Sequence, residues 1–168
     1  MATAQPAVAQ SVNMSALRAY LLDHLAGGES AIRTLEDFRR HEGRCAVSQL
    51  AERLVSDIQA DRDVLRRLLR EAGGSNNPLR RLFSWLGAKL GGLKFWRRFS
   101  GELGPFEGAE ILSLGILGKR ALWVALRQLQ AEAGLFPDED FGALISKAEE
   151  QYQIVEDKRI EMIRQAFL

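Results

Sequence analysis

Apolar residues recur along this chain at steps of three and four, the spacing of one helix face, in four long runs. The first holds Leu17, Leu21, Leu25, Gly28, Ile32 and Leu35, with Ser15 as a candidate N-cap, and ends near Gly43. The second holds Val47, Leu50, Leu54, Ile58, Leu65, Leu68 and Ala72 and is stopped by the sequence GGSNNP. Pro105 can open the third, which runs to about Ala133. GLFPDED then breaks the chain and offers Asp138 or Asp140 to cap the fourth, whose stripe is Phe141, Ile145, Ala148, Tyr152, Ile163 and Ala166. No segment alternates with period two, so the pattern predicts an all-α fold.

Connection lengths predict the topology. The first and second helices, and the third and fourth, are joined by short turns and should form antiparallel hairpins, whereas the stretch from Gly73 to Gly104 can cross a whole bundle. Residues 1–14 read as a flexible tail and 15–168 as one helical-bundle domain, with 73–104 as its crossover. The third helix contains GILGKRALWVAL, apolar on every side, and a helix without a polar face has to be covered on more than one side.

Against this background the polar residues that fall on core faces stand out. At one hundred degrees per residue, Asp61 lies at the centre of the second helix's apolar face, between Ile58 and Leu65. Lys119 interrupts the third helix among Leu112, Ile116, Trp123 and Leu126. His24 borders the first stripe, Glu110 aligns with Leu114, Gly118 and Ala121, and Glu156 and Arg159 fall between Tyr152 and Ile163. With the first and fourth helices running one way and the second and third the other, His24, Asp61, Lys119 and Glu149 or Tyr152 reach similar depth. A buried charge costs several kcal/mol unless paired, so Lys119 is expected to meet a carboxylate, Asp61 first among the candidates. The alternative is that Lys119 extends past Trp123 to water.

Composition limits the chemistry. The chain has 168 residues, 46% hydrophobic and 27% charged, enough for one domain with a core, and its formal net charge of +1 gives no global field for nucleic acid. No apolar stretch long enough to span a bilayer is free of charge, and the single Cys45 leaves no internal disulfide, which together suggest a cytoplasmic protein. Cys45, at a helix start, reads as a capping or packing residue. There is no phosphate-binding glycine loop, no Gly-x-Ser-x-Gly and no Cys/His spacing for zinc. The glycine pair in AGGES suits close helix packing.

The crossover arrangement, with YLLDHLAGGESA and LGILGKRALW, resembles the ferritin-like superfamily, in particular bacterial ferritin-like proteins without the di-iron motif. The resemblance implies a ferritin-like four-helix bundle with a long helical crossover between its second and third helices. It also implies a binding or oligomerising role, as such proteins have in stress or envelope settings. Metal-binding members of the superfamily carry Glu-x-x-His pairs; here the corresponding stretches are Glu149-Glu-Gln-Tyr152, Glu156-Asp-Lys-Arg159, Asp57-Ile-Gln-Ala60 and Asp61-Arg-Asp-Val64, without histidine, and His41 lies near the first turn. No cofactor is predicted, and a di-iron centre is disfavoured.

The crossover is itself patterned. Leu79, Leu82, Phe83, Leu86, Leu90 and Leu93 repeat at helical spacing, while Arg80, Arg81, Lys89, Lys94, Arg97 and Arg98 supply positive charge around Trp85 and Trp96. This segment is read as a strap across the bundle, with attachment to an anionic membrane or a partner as the alternative. The leading functional expectation is a non-enzymatic binding module that contacts a second copy of itself or another protein. A small-molecule binder or enzyme using the layer of His24, Asp61, Glu110, Lys119, Glu149, Tyr152, Glu156 and Arg159 is the alternative.

Overall fold

The computed structural model describes residues 11–41, 46–73 and 103–168, and these form four helices with no strand among them. Helix α1 (Met14–His41) starts one residue before the expected Ser15 cap. Asn13 caps it, its side-chain oxygen accepting the backbone N–H of Ala16 at 3.0 Å. Helix α2 (Ala46–Glu71) is followed two residues on by Gly73, which takes the left-handed conformation with φ 75°. The Arg18 guanidinium donates to the Ala72 carbonyl at 3.1 Å, tying the start of α1 to the end of α2.

Helix α3 (Gly104–Ala133) carries Pro105 in its first turn and ends on Gly134, which sits at φ 65° with its N–H on the Gln130 carbonyl. Helix α4 (Phe141–Phe167) is capped by Asp140, which accepts from the Ala143 N–H at 2.9 Å. Between them Phe136 holds a positive φ of 55°, a conformation that costs a side-chain-bearing residue energy. The Gln130 amide stabilises it by donating to the carbonyls of Phe136 at 2.7 Å and Glu139 at 2.9 Å, and burial of the Phe136 ring against Phe141 adds to this.

Contacts at the helix ends give the directions. Arg67, near the end of α2, pairs with Glu139 just before α4, and Phe106 at the start of α3 meets Phe167 at the end of α4, ring centroids 5.2 Å apart. Hence α1 is antiparallel to α2, α3 to α4 and α2 to α4, which leaves α2 and α3 parallel. Contact is extensive within each hairpin; between hairpins it is smaller from α1 to α3 and slighter still from α2 to α4. Leu21, Leu25, Leu54, Leu68, Leu122, Trp123, Leu126 and Phe141 form the centre of the core, all essentially inaccessible to water.

Two expectations about faces are corrected. Helix α3 is not enclosed on every side: Leu114 is 68% and Leu117 40% exposed, and Gly115 and Ala121 share that open side. On α4 the buried stripe runs Phe141, Ile145, Ala148, Gln151, Val155 and Met162, so Tyr152 is only half-buried and Ile163 is exposed. Choosing Tyr152 over its polar neighbour Gln151 turns the lower stripe by one residue, about one hundred degrees. Among the described residues no helix is long and apolar enough to cross a membrane. Cys45 and the basic segment from Arg80 to Arg98 lie outside the described residues.

Candidate functional site

The polar layer centres on Asp61. Helical spacing puts it between Ile58 and Leu65 on the core face of α2, and its side chain is 5% exposed. Lys119 of α3 donates to Asp61 Oδ2 at 2.6 Å, and Lys147 of α4 donates to Oδ1 at 3.1 Å. Lys147 also faces Asp57 one turn earlier, at 3.4 Å from its carboxylate. The Lys119 ammonium has a further acceptor in the side-chain oxygen of Gln151, itself buried, whose amide nitrogen finds no acceptor among the described residues. Two carboxylates and two ammonium groups thus balance, and Lys119, at 14% exposure, is held inside rather than extended to water. Burial pushes the Lys119 pKa below the ordinary lysine value, and the attraction of Asp61 only partly offsets this.

Beside the layer a cleft of about 390 Å³ opens between α1, α2 and α3. Its walls are Leu25, Ile58, Leu65, Ile116 and Leu122, and Asp61 and Lys119 line it as well. Tyr20 and His24 line the α1 side, their rings edge to face with centroids 4.7 Å apart. Burial holds the His24 imidazole below its ordinary pKa of 6.5, against the opposing pull of Asp23, and raises that of Tyr20. Arg62 also lines the cleft and is engaged by Glu29 at 2.6 Å.

Four glycines form the remaining wall, Gly27 and Gly28 on α1 and Gly115 and Gly118 on α3. Among the described residues, a Cβ at Gly27, Gly115 or Gly118 would meet no heavy atom within 4 Å, and one at Gly28 only Ile58 at 4.0 Å. The close helix packing expected at the AGGES pair is therefore absent; these glycines leave space instead.

The structure brings together Asp61, Lys119 and, across the cleft, His24. It does not bring in the other polar-layer candidates. Glu149 is exposed and pairs with Arg120 on the outer surface at 2.7 Å. Tyr152 packs against the edge of the core. Glu110 lies on the open side of α3 with Leu114, and Arg159 reaches it at 3.4 Å while also holding Glu156 and covering the Phe106 ring. That second cluster sits nine residues of helix away from Lys119, about 13 Å along the axis. Nine residues also turn the helix by about 180°, so α3 presents Glu110 and Lys119 on opposite faces.

Sequence reading left Lys147, Gln151 and Tyr20 unremarked and weighed Asp57 only as part of a metal-binding stretch, not as a member of the polar layer. Lys147 and Gln151 are one turn apart on α4, and a polar pair beside the buried Ala148 is the signal that could have shown them. Among the described residues, no three His, Cys, Asp or Glu side chains gather as a ligand set for a metal ion. The chain has no significant match to a protein-family model, to a curated protein or to a solved structure.

Proposed function

We propose that this chain is a helical-bundle binding protein of ferritin-like arrangement, and that it takes a small, uncharged, largely apolar molecule in the cleft between α1, α2 and α3. The observation that carries the reading is the set of helix-interior glycines with empty space before them. Glycine in a helix interior costs about 1 kcal/mol relative to alanine, and no neighbour among the described residues requires its small size. An evacuated cleft of about 390 Å³ falls in the size range of small-ligand sites and has the usual mixture of apolar walls and few polar groups. The parallel α2 and α3, with some thirty residues between them, support the ferritin-like part of the reading.

Titration with N-phenyl-1-naphthylamine, a neutral apolar fluorophore, tests it. The wild type is expected to give saturable enhancement with one site per chain, and Gly118→Leu to abolish it while remaining folded. Absence of saturable binding, or binding indifferent to Gly118→Leu, would overturn the cleft as the site. Exposed Leu114 and Leu117 favour a second use of the same bundle, contact with another copy of the chain across the open side of α3. Sedimentation velocity of the wild type and Leu114→Lys tests that use; a monomer at all concentrations would remove it.

A further inference from the structure

The cleft has a nucleophile on its wall. Lys119 lines it, and its ammonium already serves Asp61 at 2.6 Å and the Gln151 side-chain oxygen. An ammonium has three N–H bonds, so one is left for the cleft, and the lone pair takes its place once a proton departs. Burial lowers the pKa of this amine, which makes its neutral form more available than that of a lysine in water. Among the described residues Asp61 faces Lys119 and Lys147, Asp57 faces Lys147, and Arg62 is taken by Glu29, while Asp23, which also lines the cleft, is an exposed carboxylate. An anionic ligand would face the Asp23 carboxylate with each lining cation already paired, whereas an uncharged carbonyl compound brings no charge to be matched.

We propose that Lys119 forms a reversible imine with a neutral, apolar aldehyde seated in the cleft, with Asp61 as proton carrier and then as counter-ion. The proposal rests on the reading of the cleft as a small-molecule site. Asp61 accepts a proton from the ammonium, and the nitrogen lone pair adds to the carbonyl carbon. The C–N bond forms as the C=O π pair moves to oxygen, which takes the proton back from Asp61. A second proton passes from nitrogen to that hydroxyl, the C–O bond breaks, and water leaves. Ammonium and aldehyde become iminium and water, with no oxidant or reductant required. The charge of +1 on nitrogen is the same before and after the reaction, so at its end Asp61 again has a cation beside it.

Cinnamaldehyde with sodium cyanoborohydride provides the test, since the hydride reduces the iminium to a stable secondary amine. Peptide mass spectrometry of the full chain then compares the five lysines. The adduct is expected on Lys119 at least roughly tenfold faster than on any other lysine, a small part of what holding two reactants together can supply. Glyoxylate, an anionic aldehyde, should show no such preference. Lys119→Arg keeps a cation for Asp61 and should lose the fast adduct, and Gly118→Leu should lose it with Lys119 intact. Even labelling across the lysines, a Lys119 preference that survives Gly118→Leu, or equal preference for glyoxylate would overturn the proposal. If Lys119→Arg does not fold, the wild type and Gly118→Leu decide between them. Saturable fluorophore binding with even labelling would leave the cleft reading standing and remove only the imine; failure of both would remove the cleft reading itself.

Discussion

Asp61 stands between two ammonium groups, so removing it and removing Lys119 are unequal perturbations. Asp61→Leu leaves Lys119 and Lys147 without their shared carboxylate and is expected to cost about 3–5 kcal/mol, the range for stranding a buried charge. Lys119→Met leaves Asp61 still paired with Lys147 and should cost less, about 2 kcal/mol. The double variant should recover part of the sum, since leucine and methionine suit the apolar surroundings; denaturant midpoints measure this, and strict additivity would show the two residues to be uncoupled. His24 makes a separate prediction through pH. Burial lowers its folded pKa below the ordinary 6.5, so as pH falls the unfolded chain takes up the proton first. The stability His24 contributes is complete above the unfolded value and is lost as pH drops through it toward the folded one. Urea midpoints of the wild type should therefore fall between about pH 7.5 and about pH 5.5, and those of His24→Gln should fall less. Equal slopes would place His24 in water-like surroundings in solution.

At the scale of the element, the glycines of α1 and α3 give an opposite kind of expectation, a gain. Gly27→Ala and Gly118→Ala add a methyl group to open space and should each raise stability by up to about 1 kcal/mol, read by thermal unfolding. A loss at either position would mean that the helices approach more closely than the structure places them. The four helices and their breaks were legible because each rests on local signals: the i, i+3, i+4 stripes, Pro105 in the first turn of α3, Gly134 beyond its end and Asp140 before α4. The Asp61–Lys119 pair was legible too, since each breaks an otherwise apolar face. Less could be read where two neighbouring residues compete for a face, as at Gln151 and Tyr152, because a buried amide looks like a surface residue until its partner is known. The outward turn of Glu110 was hidden for a related reason: α3 is apolar on nearly every side, so its sequence does not say which side is open. The cleft was least legible of all, since a missing side chain reads equally well as close contact and as empty space.

For the whole molecule, the uneven contact between helices matters most. The α1–α2 and α3–α4 hairpins are each continuous, while they meet one another over less surface, with the cleft lying between α1, α2 and α3. Ion pairs span that boundary: Asp61 with Lys119 and Lys147, Asp57 with Lys147, and Arg67 with Glu139. Native-state hydrogen exchange should accordingly resolve two protected units, one per hairpin. Asp61→Leu should lower the protection of amides facing the boundary by more than it lowers protection within either hairpin. A single uniform loss would mean that the bundle opens only as one unit. The turn at Phe136 extends this picture in time. Gln130 fastens that turn with bonds no more than nine residues long in sequence, and Asp140 starts the next helix directly after it. The α3–α4 hairpin can thus close through contacts near in the chain, before the entropy of bringing the two hairpins together across a long sequence separation has to be met. It is the half of the molecule suited to serve as the template on which the rest assembles.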